Sequence, residues 1–267
     1  AVDQGVLTLD QQVAAPSLVN DMDPTGSSAD IKEGEVLTVE QLLYCMMLVS
    51  ANEAACILAE TVAGSQDAFV ALMNQRAQEL GCTGTHFVNP NGLHDPNHYS
   101  TAWDIYLFTR EAMKNETFMK ICGTASYVVP ATNMSEEREL YTTNSLISNW
   151  RIMGYQYDGA DGIKTGYTSQ AGRCVISEAT GDGLDLLGIV CGAATTVLDS
   201  GDLLMENFTE CARLFDYGFD NYSYLPIMSP LYPVDQVKIN NSAGAEAVAV
   251  APEDEIKVLL PNDYDPD

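Results

Sequence analysis

The stretch from Thr38 to Val49 reads Thr-Val-Glu-Gln-Leu-Leu-Tyr-Cys-Met-Met-Leu-Val. Thr38-x-x-Gln41 is a capping box, so a helix is predicted to start at Val39 and run to about Val49. After Gln41 every side of that helix is apolar, and such a helix has no face to offer to water. The rest of the chain must therefore build a core around it. The run is far below the ~20 apolar residues that a bilayer crossing needs. With 267 residues, 46% of them apolar, the chain has enough material for one large domain, or one domain plus a small second one.

Helical and strand patterns then follow in blocks. A second helix is predicted over 52–63, stopped by Gly64, and a third opens at Ser65 and closes at Gly81. The segment from Thr85 to Tyr99, centred on Asn89-Pro90-Asn91-Gly92, reads as a loop. Thr101-x-x-Asp104 caps a helix to about Lys114, and a short helix spans Glu116 to Cys122. From Ser126 the pattern turns to strands. The clearest hairpin runs from Cys174 to Thr180, turns at Gly181-Asp182-Gly183, and returns from Leu184 to Cys191. A last helix is expected from Asp202 to about Tyr217, ending at Gly218. Beyond Tyr224, Pro226, Pro230 and Pro233 read as a linker. Three short strands follow, 234–239, 247–251 and 256–260. This order predicts an α+β fold with a mostly antiparallel sheet. It divides into a main domain over 1–224 and the start of a small C-terminal β domain over 225–267.

Twelve Lys and Arg face 38 Asp and Glu, a formal net charge of −26. Long-range attraction needs the opposite sign, so nucleic acid and anionic lipid are poor partners, and solubility is the plain reading of the charge. The seven cysteines, Cys45, Cys56, Cys82, Cys122, Cys174, Cys191 and Cys211, are odd in number and contain no C-x-x-C pair, so they read as free thiols in apolar surroundings. His94 and His98 stand four apart, a metal-ligand spacing only on a helix; Pro96 and Asn97 between them make a loop, and no metal or other cofactor is expected. Met46 and Met47 read as core packing, and the acidic tail over 253–267 as solvated, without EF-hand spacing.

Two motifs carry chemistry. Ser50-Ala51-Asn52 falls between two predicted helices, and Lys164-Thr165-Gly166 opens the hairpin region. A hydroxyl and an amide two residues apart on a turn can both point into one cleft. The first relays a proton towards a leaving amine and the second holds a substrate backbone. Across the cleft, Lys164 supplies positive charge for proton relay and for an anionic substrate end, and Thr165 a donor for a carboxylate. Gly166 lets an extended substrate approach the sheet edge. Either motif alone has a plainer reading: Ser50 or Asn52 as the cap of the second helix, and Lys164-Thr165-Gly166 as a turn before a strand. Arg173 reads equally as a carboxylate contact or an exposed strand residue.

Serine acyl-transfer enzymes of the penicillin-binding and β-lactamase class carry S-x-x-K, S-x-N and K-T-G in chain order. Longer stretches narrow the resemblance. Gly34 to Leu43 running into Ser50 to Ala55, Thr85 to Leu93 followed by His98 to Ala102 and Asp104, Asp161 to Ser169 with Ala171-Gly172, and Leu214 to Phe219 all resemble the low-molecular-mass, penicillin-binding D-alanyl-D-alanine carboxypeptidases, peptidase family S11. The likeness covers roughly residues 5 to 222. It implies the β-lactamase/transpeptidase-like fold, an antiparallel sheet flanked by helices beside a helical lobe. It implies a serine-type hydrolase that removes the terminal D-Ala from peptidoglycan stem peptides ending in D-Ala-D-Ala, with β-lactams as inhibitors, outside the cytoplasm in a bacterial cell envelope. A C-terminal membrane anchor occurs in many members and is not visible in this sequence. Carried onto this chain, the catalytic positions are Ser50, Asn52 and Lys164, and the substrate strand is lined by Lys164, Thr165, Gly166 and Tyr167. The alternatives are a non-catalytic wall-binding or interaction protein that has lost its nucleophile, and a β-lactamase.

One element of the pattern is missing. Three residues before Lys32, Lys114, Lys120, Lys164, Lys238 and Lys257 stand Ala29, Glu111, Thr117, Asp161, Asp235 and Asp254, and none is Ser. Thr117-x-x-Lys120 lies between the other two motifs, in the wrong order, and reads as a surface helix pair. The expectation is that the nucleophilic segment lies upstream of Ala1 and that the chain is truncated at both ends. Without that helix, apolar surface around Leu42 to Val49 is expected to be exposed. The covalent step is lost with the serine. Intact-mass measurement after incubation with benzylpenicillin is therefore expected to show no stable adduct on this polypeptide.

Overall fold

The computed structural model describes residues 2, 4–240 and 244–265, and separates into two compact units. The first comprises 1–179 and 187–213, the second 180–186 and 214–267.

The first unit is organised around the apolar helix. Strands β1 (Gln12–Ala14) and β2 (Val36–Thr38) pair antiparallel, with Val13 opposite Leu37. The chain passes directly from β2 into α1 (Val39–Leu48). The capping box forms in full: Thr38 Oγ1 accepts from the Gln41 N–H at 3.2 Å and Gln41 Oε1 accepts from the Thr38 N–H at 2.8 Å. Helices α2 (Asn52–Ala63) and α3 (Gln66–Glu79) follow, with Ser65 capping α3. Next come α4 (Ala102–Ala112), capped by Thr101, and α5 (Glu116–Cys122), capped by Asn115. Strands β3 (Ser126–Val129) and β4 (Arg138–Tyr141) form an antiparallel pair. A three-stranded sheet in the order β5-β6-β7 is built from β5 (Ala160–Thr168), β6 (Gly172–Gly181) and β7 (Leu184–Ala193). Strands β8 (Thr195–Val197) and β9 (Leu203–Met205) then pair and lead into α6 (Glu206–Asn221).

In the second unit, β10 (Tyr222–Met228) pairs with β13 (Ile256–Pro261), and β11 (Asp235–Lys238) with β12 (Ala247–Val250), both antiparallel.

Two element boundaries differ from the sequence reading. The last helix starts at Glu206 rather than Asp202, because Leu203–Met205 are taken into a strand pair with β8. It also runs through Gly218 to Asn221. Of the expected linker after Tyr224, the part to Met228 belongs to β10, which tolerates Pro226 beside a register shift between Pro226 and Met228, while Pro230 and Pro233 lie in the loop that follows.

Leu42, Tyr44, Cys45 and Leu48 of α1 are buried with Leu7, Ala15, Ile31, Leu37, Ala54, Ile57, Ile121, Val129 and Leu140 in one cluster. Tyr44 stacks on Tyr127 of β3 with ring centroids 3.7 Å apart. No residue from Leu42 to Val49 is exposed, which corrects the expectation of a bared apolar surface there. The segments before and after α1, together with α2, α5 and the β3–β4 pair, supply the cover.

A buried charge ties that cover together. Glu35 is fully buried and pairs with Arg138 of β4. Its carboxylate also accepts from the Lys32 N–H at 3.1 Å, Thr132 Oγ1 at 2.8 Å and Ser135 Oγ at 3.4 Å. Arg138 donates in addition to the Ala29 carbonyl at 2.6 Å. Removing one partner of a buried ion pair leaves a charge without compensation, at a cost of about 3–5 kcal/mol. Arg138→Ala is expected to lower unfolding stability by that amount in urea titration. Lys120→Ala, which breaks the exposed 3.6 Å pair with Glu40, is expected to stay within about 1 kcal/mol of the parent.

Candidate active site

The C-terminal end of α1 positions the first group. After Val49 the chain turns through Ser50, whose φ of +58° is in the left-handed region. The Ala51 N–H bonds the Cys45 carbonyl at 3.1 Å and closes the turn. α2 then begins at Asn52 with Ala51 as its cap residue and no side-chain cap, so neither Ser50 nor Asn52 is the capping residue that the plainer reading offered. The Ser50 hydroxyl instead accepts a hydrogen bond from Lys164 Nζ of β5.

Asn52 is buried at the start of α2, and Nδ2 donates to the Ser27 carbonyl at 3.1 Å. The Asn52 N–H reaches the same carbonyl at 3.0 Å. Next to it, the buried Glu53 carboxylate accepts from Ser28 Oγ at 2.8 Å and the Ala29 N–H at 2.7 Å. The loop over 27–29 is thereby fastened to the first turn of α2. Gly26 makes this approach possible, since a Cβ there would lie 2.8 Å from Asn52 Nδ2.

β5 brings the second motif alongside. Lys164 Nζ also donates to the Thr165 carbonyl at 2.8 Å. Thr165 Oγ1 lies 2.6 Å from Thr143 Oγ1. Opposite β5, Ile176 faces Lys164, Val175 faces Thr165, Cys174 faces Gly166 and Arg173 faces Tyr167. Gly166 has open space where a side chain would project. Tyr167 is 64% exposed, and the Arg173 guanidinium sits 4.8 Å from its ring centroid. Arg173 Nε also donates to Thr195 Oγ1 at 2.5 Å. In the sheet β5 is an edge strand among the described residues, so its outer side presents backbone donors and acceptors.

Burial pulls the Lys164 ammonium down from its ordinary range to about 8, and the nearby Arg151 charge lowers it further while Cys122 acts in the opposite sense. An amine with that affinity gains and loses a proton near neutrality, and it lies in contact with a serine hydroxyl.

The sequence reading missed two supporting residues. The Thr143 N–H bonds the Leu48 carbonyl at 3.1 Å, satisfying a terminal carbonyl of α1, and its hydroxyl meets Thr165. Asn144 is buried, and Nδ2 bonds the Gly162 carbonyl and Ser177 Oγ at 3.4 Å. Ser177 Oγ donates to the same Gly162 carbonyl at 2.5 Å. These bonds hold the entry to β5 just before Lys164. Thr142-Thr143-Asn144 follows a strand as any polar loop does, and no spacing within it marks a partner across the sheet. The histidines lie in loops: His98 Nδ1 accepts from the Val88 N–H at 3.3 Å, and a third histidine, His86, has Nδ1 2.7 Å from the Asn97 carbonyl. His94 is exposed.

Comparison with known proteins shows the family and the fold. Residues 1–195 match the family Peptidase_S11, described as D-alanyl-D-alanine carboxypeptidase. The D-alanyl-D-alanine carboxypeptidase DacF of Bacillus subtilis is 31% identical over 239 residues, which is 90% of this chain and 57% of the relative. The chain thus spans under two thirds of that relative's length. Among solved structures, the Streptomyces K15 DD-transpeptidase superposes with a TM-score of 0.70 at 29% identity, covering 80% of each chain. The D-alanyl-D-alanine carboxypeptidase DacD of Francisella tularensis gives 0.72 at 26% identity, covering 98% of this chain and 71% of that one. The α+β fold is accordingly that of the β-lactamase/transpeptidase-like proteins.

The lowered affinity of Lys164 for a proton has a consequence for stability. The unfolded chain, with lysine near 10.4, binds more protons than the folded one between about 8 and that value, so stability rises with pH across that window. The contribution of neutral Lys164 is fully present above the window and is lost as pH falls through about 8. Lys164→Met is expected to abolish this rise in pH-dependent unfolding. In NMR of the parent protein the Lys164 side chain is expected to titrate near 8.

Proposed function

The chain belongs to the peptidase S11 family, and from that premise we propose that it serves a serine-type D-Ala-D-Ala carboxypeptidase. The reaction removes the terminal D-Ala from peptidoglycan stem peptides through a serine acyl-enzyme. The observation that carries this reading is the contact between Lys164 Nζ and Ser50 Oγ, made by residues 114 positions apart.

In the proposed mechanism the Ser50 hydroxyl accepts from Lys164, which leaves its own proton to pass to the departing D-Ala nitrogen. Lys164 resupplies that proton and offsets the negative charge of the substrate terminus. Thr165, steadied by Thr143, donates to the terminal carboxylate. The extended substrate lies along the outer edge of β5, where Gly166 permits close approach and Tyr167 borders the strand. Asn52 is the proposed clamp of the substrate backbone, a role for which its side chain exchanges the Ser27 carbonyl it bonds here for the substrate. Residues 1–224 would form the catalytic domain and 225–267 the start of a C-terminal β domain. The setting is the bacterial cell envelope outside the cytoplasm, with stem peptides as substrate, β-lactams as inhibitors of the acylating serine, and membrane anchorage as in many family members.

The serine and lysine of S-x-x-K are not among these 267 residues, and the chain alone is proposed to be inactive. The second reading is a non-catalytic wall-binding or interaction protein that has lost its nucleophile. The coding DNA upstream of Ala1 separates them. An in-frame S-x-x-K supports the enzyme, whereas an initiation codon directly before Ala1 with no such motif leaves the binding protein. With the enzyme so encoded, D-Ala release from a diacetylated stem peptide is expected to fall about 100- to 10,000-fold for Lys164→Ala. Unchanged release would remove Lys164 from the mechanism.

A further inference from the structure

Two of the seven cysteines differ from the rest. Cys45, Cys56, Cys82, Cys122 and Cys211 are buried, and burial raises each of their thiols, Cys45, Cys122 and Cys211 to about 12. Cys191 is exposed and Cys174 half-buried. They lie on neighbouring strands, Cys174 on β6 and Cys191 on β7.

The register of those strands puts the two sulfurs together. β6 and β7 are joined by Asp182 and Gly183 alone, with φ of +50° and +78°. Two positive φ values make a type I′ hairpin turn, which fixes which residues stand opposite. At the far end Gly172 lies against Gly192 and Ala193, in keeping with the same register. Counting in from either end sets Cys174 opposite Cys191, which brings the two thiols within interaction range of each other. Directly opposed residues of antiparallel strands have Cα atoms about 4.5–5.5 Å apart. That separation falls within the range of roughly 4.4–6.8 Å that a disulfide takes.

We propose that Cys174 and Cys191 form a two-thiol oxidation site, closed to a disulfide by a small-molecule disulfide such as oxidised glutathione. The site lies one strand in from Lys164-Thr165-Gly166, because Cys174 is also the residue opposite Gly166. The Cys174 thiolate attacks one sulfur of oxidised glutathione, forms a mixed disulfide and releases one glutathione thiolate. Cys191 gives its proton to solvent and its thiolate attacks the Cys174 sulfur. The intramolecular disulfide forms and the second glutathione leaves. Two cysteine thiols are oxidised, one glutathione disulfide is reduced to two thiols, and the two protons the cysteines give up to solvent are balanced by two the glutathione thiolates take from it.

The electrostatics suit this order. The hydrogen bond from Cys191 draws the Cys174 thiol down to about 6, while Cys191 itself is pushed up by holding the shared proton. Of the two, Cys174 is the thiol that ionises first, and it stands within reach of its resolving partner.

The test uses the reduced chain as it stands, and its outcome is independent of the carboxypeptidase reading. Thiol titration of the native protein is expected to find Cys174 and Cys191 reacting ahead of the other five of the seven cysteines. After incubation with oxidised glutathione, both fast thiols should be lost and the intact mass should fall by about 2 Da with no glutathione retained. Peptide mapping should link Cys174 to Cys191. Cys191→Ser should stop at the mixed disulfide and retain one glutathione on Cys174. Retention of glutathione on the parent protein without a cross-linked peptide, or survival of both fast thiols, overturns the proposal.

Discussion

The burial of α1 is the constraint from which the first unit follows. A helix apolar all round needs cover on every side, and no single neighbour can provide it. The cover is drawn from segments before and after it in sequence, and the Glu35–Arg138 pair joins two of these. Glu35 is satisfied at both oxygens by Lys32, Thr132, Ser135 and Arg138, so the charge fixes geometry as well as adding attraction. α1 ends where Ser50 must appear. The Thr143 N–H that occupies its last carbonyl also delivers the loop that braces Thr165. Core and candidate site are thus two consequences of one helix.

The site depends on matching a rigid turn to a rigid strand. Ser50 is set by the left-handed turn and by the bond from Ala51 to Cys45. Lys164 is set by the β5 register and by the double hold of Asn144 and Ser177 on Gly162. Groups held by their own backbones lose little freedom when they act together, which is what proton transfer over short distances requires.

Much of this was legible in sequence because local chemistry writes itself locally. The Thr38–Gln41 capping box, the Ser65 and Thr101 caps and the Asp182-Gly183 hairpin each involve residues a few positions apart. The pairing of Ser50 with Lys164 was legible only through a resemblance extending over long motifs. What stayed hidden was tertiary. Leu203–Met205 joined a strand rather than the helix because β8 was there to pair with it. Thr143, Asn144 and Ser177 carry no local mark, since their partners lie far along the chain, at Leu48 and Thr165 for Thr143 and at Gly162 for Asn144 and Ser177. The cover over Leu42 to Val49 was misjudged because the residues that supply it are scattered along the chain.

An edge strand kept open for a guest peptide is open to other strands as well. The outer side of β5 displays the same backbone pattern to any extended segment, including the β5 of a second copy. The formal charge of −26 opposes that encounter by making copies of the chain repel one another at a distance. Such protection is ionic in origin and shortens with the Debye length, from about 30 Å at 0.01 M salt to about 10 Å at 0.1 M. The acidity of the chain thus acts as a colloidal guard for its most self-adhesive edge, and the guard thins as ionic strength rises.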